Sequence, residues 1–447
     1  MSVKFFVTEE NIPNDGSKEI IEVFNQNVDF SKSEIYIYPD VHYKKGSRVV
    51  NGMLIRSSQY IFPACLGVEN CGFIFGKIYN ASIEDIQESF NKYAKKLKSY
   101  DAFEFYSKDY VRALFKQYLE KDFDNNKVLY DFLGINDPHK AYKLAIKSLT
   151  KDIMEKACHS LCSLGGGNHF FEVHRVEDVI SEESKFKKND LLFILHSDSI
   201  SVGDIINLRF SNLSELDFLK NTRKGRKHIF KTRVRQFTYF LTSGLFFKNP
   251  LETYKLIYSQ KDYRTIDFNS AIGKALLFEH NLATLFGEMN RDIIIQNWAK
   301  ENNLNIEIQA SHNHDSVTLE KNGSEYNVFH RNGVQYLGQD EYFILPSAMG
   351  AYSYILSNPK NQDAFFSANH GVGRVQDKHI ARDNFNEKNT IQELEAQNIK
   401  LYHIGQSNIA EQNYKAFKEV DSILLEMNRQ KLGVAMAKTR PIVIMKG

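Results

Sequence analysis

Five cysteine or histidine side chains stand where an apolar, strand-like run gives way to a turn of small or polar residues. They are Cys71, His169, His196, His312 and His370. Imidazole and thiolate groups are donors that divalent transition metals such as manganese and zinc accept. Several histidines with a cysteine therefore predict a site for such a metal. For Cys71 alone, a buried structural cysteine is the commoner interpretation.

The last of these side chains, His370, has a setting of its own. It lies in the segment 369–374, Asn-His-Gly-Val-Gly-Arg. Glycine lets a phosphate approach the backbone closely, and an arginine can bind that phosphate through two parallel N–H groups. This setting makes His370 a candidate nucleophile toward an anion. Composition and spacing together predict a metal-assisted phosphoryl or nucleotidyl transferase, and a metallohydrolase fits nearly as well.

A glycine-rich turn at 165–167 precedes a strand-like run that carries Asn168, His169 and Glu172. Because side chains alternate along a strand, Asn168 and Glu172 point to one face and His169 to the other. A tight turn with polar residues at the start of a strand explains the same pattern without any function. Asp40 and His42, two residues apart after another strand, suit either a metal or anion site or ordinary turn chemistry.

A basic run at 220–235 contains eight lysines or arginines and no acid. Phosphate binding and a solvated loop are equally compatible with it. Cys158 and Cys162 lie one helical turn apart, and no second pair of cysteines exists to complete a metal site. A packed helix face is therefore the better interpretation of these two residues.

Composition narrows the class of protein. The chain has 447 residues, of which 42% are hydrophobic, which is ample for a sizeable core. Four cysteines are too few for a disulfide scaffold and suit a reducing compartment. The first six residues lack the layout of a signal peptide, and the apolar region 237–247 is too short to span a membrane. We therefore expect a cytoplasmic protein, whereas the net charge of +2 points to no class of partner.

The periodicity of apolar residues predicts the elements that position these groups. Helices are predicted within 82–132 and 140–162, over 270–300 and over 409–429. Short runs of β-branched and aromatic residues predict strands that lead into the polar turns. Residues 212–270 are predicted to form a helical, basic insertion.

A series of motifs in one order along nearly the whole chain resembles the RtcB family of RNA ligases. The chain carries Pro-Asp-Val-His at 39–42, Cys-Gly at 71–72, Gly-Gly-Gly-Asn-His-Phe-Phe-Glu-Val at 165–173 and His-Ser at 196–197. It continues with His-Asn at 312–313, Pro-Ser-Ala-Met-Gly at 346–350, His-Gly-Val-Gly-Arg at 370–374 and Lys-Gly at 446–447. The resemblance is loosest at 205–270.

The resemblance implies an α+β fold of central mixed β-sheets surrounded by helices. Residues 1–447 would form a single catalytic domain, with the metal and nucleotide site at strand ends. The implied activity joins an RNA 3′-phosphate or 2′,3′-cyclic phosphate end to a 5′-hydroxyl end, in RNA repair or splicing, with GTP and two Mn²⁺ ions. A histidine takes GMP, the GMP passes to the RNA 3′-phosphate, and the 5′-hydroxyl displaces it. The expected partners are RNA and GTP, with no membrane; an accessory protein is left open.

Site residues follow from the match, position by position. His370 matches the guanylated histidine. The matches to metal ligands are Cys71, His169, His196 and His312. The matches to the guanylate pocket are Asn168, His169, Phe170, Phe171, Glu172, His312, Asn313, Pro346, Ser347, Ala348, Met349, Ser353, His370, Gly371, Val372, Gly373 and Lys446. Within this pocket Glu172 would accept hydrogen bonds from the N–H edge of guanine.

Three departures from the family pattern leave a second function open. The family has a metal-binding Asp three residues before the cysteine, where this chain has Val68. Glu69 is the candidate replacement, through a one-residue deletion, and loss of that ligand is the alternative. The family turn Gly-Ser-Arg-Gly becomes Asp-Ser-Ile-Ser at 198–201, and Ala348 removes a hydroxyl from the pocket. The alternative is a metal-dependent RNA phosphatase or cyclic phosphodiesterase that has lost ligation. A non-catalytic RNA-binding relative is disfavoured by the retained Cys and His residues.

Overall fold

The computed structural model describes residues 3–27, 32–43, 47–66, 69–98, 105–210, 222–258, 265–405 and 407–447. Val68 and the first two residues of the basic run, 220 and 221, lie outside these ranges. Two stretches of the predicted insertion 212–270, namely 212–221 and 259–264, lie outside them too.

The strands of the described residues vary from two to thirteen residues in length. Those of the first two thirds of the chain are β1 (Val3–Phe5), β2 (Ser33–His42), β3 (Asn51–Ser57), β4 (Tyr60–Ile61), β5 (Gly72–Tyr79), β6 (Phe170–Val179), β7 (Leu191–Ser197) and β8 (Ile266–Asp267). The later ones are β9 (Asn305–Asn313), β10 (Asp315–Asn322), β11 (Glu325–Asn332), β12 (Val334–Tyr336), β13 (Tyr342–Leu345), β14 (Ser353–Ser357), β15 (Ser367–Asn369), β16 (Lys400–His403) and β17 (Val434–Lys446).

The α-helices of the described residues fall in several stretches of the chain, separated by strands. The α-helices are α1 (Ser17–Asn27), α2 (Ile83–Tyr93), α3 (Lys108–Asn125), α4 (Lys127–Leu133), α5 (Pro138–Ser148), α6 (Lys151–Ser160), α7 (Ile200–Leu208), α8 (Arg223–Thr242), α9 (Leu245–Lys248), α10 (Pro250–Tyr258), α11 (Ala271–Glu301), α12 (Lys378–Asn384), α13 (Glu387–Glu395) and α14 (Val420–Arg429). Short 3-10 helices lie at Glu9–Asn11, Pro63–Cys65, Ile409–Gln412 and Tyr414–Ala416.

Two large mixed sheets confirm the α+β class. One contains β1, β2, β3, β11 and β10 in that order, with β1 parallel to β2 and the other pairs antiparallel. The other has the order β13, β14, β17, β6, β7, β5 and β9, and β16 adds to it in parallel with β17. The small pair β12 and β15 and the pair β4 and β8 complete the described sheets.

Helix α11 lies at the centre of the molecule and is buried along most of its length. Ile294, Ile295 and Trp298 pack on the eight-stranded sheet. Leu282 and Phe286 pack against α3, α5 and α6 on the opposite side. The prediction of one long helix over 270–300 is therefore confirmed, and its uniform burial explains why it shows no amphipathic stripe.

The prediction of one helix over 409–429 is wrong. Only α14 is α-helical, and two 3-10 helices precede it. The side chains of Asn408 and Asn413 accept hydrogen bonds from the N–H groups of Ala410 and Lys415. An asparagine side chain that accepts from a nearby backbone N–H competes with the helical backbone hydrogen bond. Each of these asparagines therefore starts a new short turn instead of continuing one helix.

The described part of 212–270 contains α8, α9, α10 and β8. That these residues form an insertion within a single catalytic domain of 1–447 stays a prediction. Among the residues that the structure describes, no helix combines the length and the apolar character needed to cross a membrane.

Candidate metal and nucleotide site

One edge of the eight-stranded sheet gathers side chains that are far apart in the sequence. Antiparallel pairing places the start of β5 beside the ends of β7 and β9, so Gly72 lies opposite Ser197 and Asn313. The start of β6 meets the same edge, where Phe170 lies opposite His196. Residues that directly precede β5 and β6 or directly follow β7 and β9 therefore converge at this edge.

Two groups of possible metal ligands share Cys71 at this edge. One is Cys71 with His196 and His314, and the other is Cys71 with Glu69, His169 and Asp198. The donor atoms within each group lie no more than 4.8 Å from one another. All of these side chains except Glu69 are buried. The arrangement can therefore hold two cations that share one thiolate.

The donor atoms of these groups fit a transition metal. The Nε2 atoms of His196 and His314 lie 2.9 Å apart, and Cys71 Sγ lies 3.3 Å from His169 Nε2. Burial lowers the pKa of His169 to about 3, so its imidazole is neutral, which is the form that binds metal. Burial, helped by the charge of Glu69, raises the pKa of the Cys71 thiol. A bound cation offsets this cost, since metal ions deprotonate the thiols that bind them.

The structure does not bring His312, a predicted metal ligand, into either group of possible ligands. Its Nε2 lies 2.9 Å from the carboxylate of Asp340, outside both groups. His314, two residues later, takes the place in the group with Cys71 and His196. Residues two apart on a strand point to the same face, so the residue types alone did not separate His312 from His314.

Asn313 is also displaced from its predicted role in the guanylate pocket. Its side chain accepts a hydrogen bond from Arg291 at 2.5 Å and donates one to Glu288 at 2.6 Å, so both of its polar atoms are engaged away from the cavity. Asp315 lines the cavity instead. Burial opposes its ionisation, but His314 and a backbone N–H hold the pKa of Asp315 at about 2.

His370 lies against the metal groups, with its ring centroid 4.8 Å from that of His314. Its Nδ1 is 2.6 Å from the carboxylate of Asp40 and 2.8 Å from the carbonyl oxygen of Gly333. A carbonyl oxygen only accepts hydrogen bonds, so Nδ1 carries the proton and the lone pair of the neutral ring lies on Nε2. Burial lowers the pKa of His370, but the charge and hydrogen bond of Asp40 outweigh it and raise the pKa above its ordinary value.

Close backbone packing fixes the Asp40 carboxylate. A side chain at Gly373 would meet the Asp40 carbonyl oxygen at 2.3 Å, and one at Gly52 would meet its carboxylate at 2.7 Å. Both glycines have positive φ angles, which glycine adopts without strain. Lys418 donates hydrogen bonds to the carbonyls of Pro39 and Val41, on either side of Asp40. The end of β2, residues 39–42, is therefore held in place as a support for His370.

A cavity of about 390 Å³ opens beside His370, a size typical of small-ligand pockets. The predicted residues that line it are Glu69, Cys71, Asn168, Phe170, Glu172, His196, Pro346, Ser347, Ala348, Met349, His370, Gly371, Val372, Gly373 and Lys446. The predicted residues that do not line it are His169, Phe171, His312, Asn313 and Ser353. Of these, His169 lies behind Cys71 in the metal group.

Phe171 and Ser353 have structural roles instead. The ring of Phe171 packs in the core against Phe90 and Trp298, because it points to the opposite face of β6 from Phe170. The hydroxyl of Ser353 accepts a hydrogen bond from the N–H of Ser347 at 3.1 Å. Ser353 therefore supports the cavity wall without forming it.

One side of the cavity is cationic. Arg374, Lys378, His379 and Lys446 line it. Burial lowers the pKa of Lys446 to about 7, although the charge of Glu172 opposes the shift. Basic side chains that line a cavity suit the phosphates of a nucleotide.

Several residues of this site were not singled out from the sequence. They are Asp198, His314, Asp315, Gly333, Lys378 and His379. The pattern His-x-His-Asp at 312–315 was the signal for two of them, since it offers a second histidine on the same strand face. Asp40 was noted in the sequence with turn chemistry as its alternative, and its hydrogen bond to His370 now gives it a defined contact.

Fold and site together define an α+β protein in which two groups of possible metal ligands lie next to a cavity lined by basic residues. A family model described as tRNA-splicing ligase RtcB matches residues 25–447. The chain belongs to the RtcB family.

Curated relatives are distant in sequence. The chain is 22% identical to the tRNA-splicing ligase RtcB of Aeropyrum pernix over 65% of this chain and 60% of that protein. It is 22% identical to the RNA-splicing ligase RtcB of Escherichia coli K12 over 94% of this chain and 91% of that protein. The tRNA-splicing ligase RtcB of Pyrococcus horikoshii is also 22% identical, over 67% of this chain and 35% of that protein.

Proposed function

We propose that this protein is a GTP-dependent RNA ligase that works through a GMP adduct on His370. It joins an RNA end with a 3′-phosphate or 2′,3′-cyclic phosphate to an end with a 5′-hydroxyl. The observation that carries the proposal is the imidazole of His370. Asp40 and Gly333 fix its Nδ1–H, and the ring lies between a cation centre and a cationic cavity.

In the first step the lone pair of His370 Nε2 attacks the α-phosphorus of GTP. A P–N bond forms, the bond from that phosphorus to the β-phosphate bridging oxygen breaks, and pyrophosphate leaves with the electron pair. The imidazole becomes positively charged as the bond forms. The Asp40 carboxylate, at 2.6 Å from Nδ1, offsets that charge and keeps the ring oriented.

Cavity residues hold the nucleotide during this step. Lys446, Arg374 and Lys378 attract the phosphates. The buried carboxylate of Glu172 is oriented by a 2.8 Å hydrogen bond with His174, so that it can accept from the N–H edge of guanine. Residues 346–349 and 371–373 form further parts of the wall.

Two Mn²⁺ ions, when bound, neutralise the charge on the phosphates and on the leaving pyrophosphate. The residues that would hold them are Cys71, His169, His196 and His314, with a carboxylate beside Cys71. These donors suit manganese and zinc alike by type.

The later steps use the same cavity. An oxygen of the RNA 3′-phosphate attacks the adduct, the P–N bond breaks, and His370 is regenerated as neutral imidazole. The 5′-hydroxyl of the second RNA end then attacks the activated 3′-phosphate, loses its proton, and releases GMP. A 2′,3′-cyclic phosphate first needs one water to open it to a 3′-phosphate. The cytoplasmic location and a requirement for an accessory protein stay predictions.

The test is ligation of two short RNAs, one with a 3′-phosphate and one with a 5′-hydroxyl, by the purified full chain with GTP and Mn²⁺. We expect a joined product that requires GTP, and none from a matched pair with 3′-hydroxyl and 5′-phosphate ends. Removal of the 3′-phosphate without joining would refute the ligase and favour the alternative, an end-processing phosphatase or cyclic phosphodiesterase.

A further inference from the structure

We propose that Asp198 is the principal carboxylate ligand of the cation held by Cys71 and His169, and that Glu69 is secondary. The inference rests on the metal use in the proposed function and assigns its ligands. From the sequence, Glu69 was the candidate for this role, and Asp198 belonged only to an altered turn after His196.

Asp198 is placed to coordinate. Its side chain is buried, and its oxygen lies within 4.8 Å of the donor atoms of Glu69, Cys71 and His169. One carboxylate oxygen, Oδ1, accepts a hydrogen bond from the N–H of Ile200 at 2.9 Å, which fixes the group. The other, Oδ2, is directed at the metal group and lies 3.8 Å from His169 Nδ1.

The charge of Asp198 needs a partner. Across the described ranges, no lysine or arginine forms an ion pair with it, whereas a buried carboxylate is costly unless its charge is compensated. A cation between Asp198, Cys71 and His169 supplies that compensation. Neutral imidazole, thiolate and carboxylate are together a donor set that Mn²⁺ accepts.

Glu69 differs from Asp198 in its surroundings. It is exposed, and its carboxylate lies 3.6 Å from Cys71 Sγ. An exposed carboxylate keeps its hydration, so it gains less from a cation than a buried one. Glu69 is therefore suited to complete the coordination rather than to define it.

The turn after β7 fixes both carboxylates at once. The N–H and the hydroxyl of Ser199 both donate to the carbonyl oxygen of Glu69, at 2.9 and 2.7 Å. Asn70, buried between Glu69 and Cys71, is held by Asn207 at 2.9 Å and Thr284 at 3.1 Å. The segment 69–71 is thus attached to the turn that carries Asp198, and the donor atoms form a preorganised set.

The test counts Mn²⁺ bound to the full chain after removal of metal with a chelator, by elemental analysis and equilibrium titration, without GTP or RNA. The variants are Asp198→Asn, which keeps the shape and removes the charge, and Glu69→Gln. Asp340→Asn is the matched control, because the Asp340 carboxylate lies beside a buried histidine, His312, outside both groups of possible ligands. We expect Asp198→Asn to lose one ion or to weaken its binding by about tenfold or more. Glu69→Gln should change the affinity by less than about threefold, and Asp340→Asn should leave it unchanged.

Two results would overturn the inference. One is that Asp198→Asn binds as many Mn²⁺ ions as the wild type, with the same affinity. The other is that Glu69→Gln loses more Mn²⁺ binding than Asp198→Asn does. Thermal unfolding separates a ligand from a structural residue. Metal-free Asp198→Asn should unfold close to the wild-type temperature, because the amide keeps the shape of the side chain and its oxygen can still accept from the N–H of Ile200. Mn²⁺ should raise its unfolding midpoint less than that of wild type. A destabilised metal-free variant with an undiminished Mn²⁺ shift would also refute the proposal.

The outcome is independent of the ligase proposal. Metal binding through Asp198 in a protein that never forms a GMP adduct would leave this inference standing and refute the proposed function. If the protein forms a GMP adduct but its Mn²⁺ binding does not depend on Asp198, the proposed function stands and this inference is refuted.

Discussion

In the proposed function, the reactivity of His370 depends on the carboxylate of Asp40. This carboxylate contacts both Nδ1 and the backbone N–H of His370, and so it fixes both the ring and its tautomer. Removing its charge while keeping its shape isolates the electrostatic part of that support.

We expect Asp40→Asn to slow formation of the GMP adduct on the order of a hundredfold, because the positive charge that develops on the ring loses its partner. The measurement is the rate of label transfer from GTP to protein. Asp340→Asn is the matched control, since Asp340 also contacts a buried histidine, His312, away from the cavity. Equal rates in Asp40→Asn and wild type would contradict the role of Asp40.

The choice between His312 and His314 gives a second prediction for single residues. We expect His314→Ala to lose Mn²⁺, since its Nε2 lies 2.9 Å from that of His196. His312→Ala should keep the wild-type metal content. Elemental analysis of the purified variants decides this, and retention of all metal by His314→Ala would restore His312 as the candidate.

The lowered pKa of Lys446 leads to a prediction of how the affinity for a nucleotide varies with pH. Burial lowers its pKa to about 7 in the free protein, and a bound phosphate favours the protonated ammonium. Binding of GMP therefore takes up a proton above pH 7, so the affinity falls as pH rises, by at most about tenfold per pH unit. Calorimetry in chelator from pH 6 to pH 9 should show this fall in wild type and a flatter profile in Lys446→Met. The same slope in both proteins would contradict the assignment.

For single residues, the sequence predicted which residue types form the candidate site, but not always which residue of that type belongs to it. Cys71, His196 and His370 could be predicted because each type is rare and each follows a strand-like run. The alternation of side chains along a strand could not decide between His312 and His314, which are two residues apart. Asp198 had the features of an ordinary turn residue. Phe171 and Ser353 were predicted because they lie in motifs whose other residues line the cavity. Which of these side chains face the cavity and which face the core is decided by packing.

At the scale of elements, the site depends on strand register. The ligands come from sequence positions 69 to 314 and meet because β5, β6, β7 and β9 begin or end at one edge of the sheet. The strands could be predicted from their composition. Their order could not, because pairing between distant strands leaves no local signal in the sequence.

Helix α8 carries most of the basic run, and its exposed surface leads to a prediction about RNA binding. The structure places seven of the eight cationic residues of the basic run on it. Its apolar side faces inward through Ile229 and Phe240, and exposed lysines and arginines alternate on the outside with Phe230, whose exposed fraction is 68%. Basic groups beside exposed aromatic rings suit single-stranded RNA.

Replacing Lys224, Lys227 and Lys231 of α8 with Gln should weaken RNA binding to a similar extent for all sequences. Each lost phosphate contact should flatten the plot of log affinity against log salt by about 0.7. The same replacement of Lys143, Lys147 and Lys151, exposed on α5 and α6, is the control for net charge. An unchanged slope in the α8 variant would leave α8 as an ordinary solvated helix.

At the scale of the whole molecule, the two large sheets contribute different parts of the site. The edge of the eight-stranded sheet supplies the candidate metal ligands, whereas β2 of the five-stranded sheet supplies Asp40. His370 follows β15 of the small pair and lies between them. This arrangement explains why residues from nearly the whole chain are needed, and why the family model matches 25–447 rather than one segment.

The central claim is that His370 carries GMP. Its most direct test is the intact mass of the full chain after incubation with GTP and Mn²⁺ at neutral pH, followed by peptide mapping. We predict a mass increase of one GMP that maps to His370, is absent from His370→Ala, and is present in a control that removes the exposed His228 of α8. An undiminished adduct in His370→Ala, or an adduct mapped to another residue, would contradict the account.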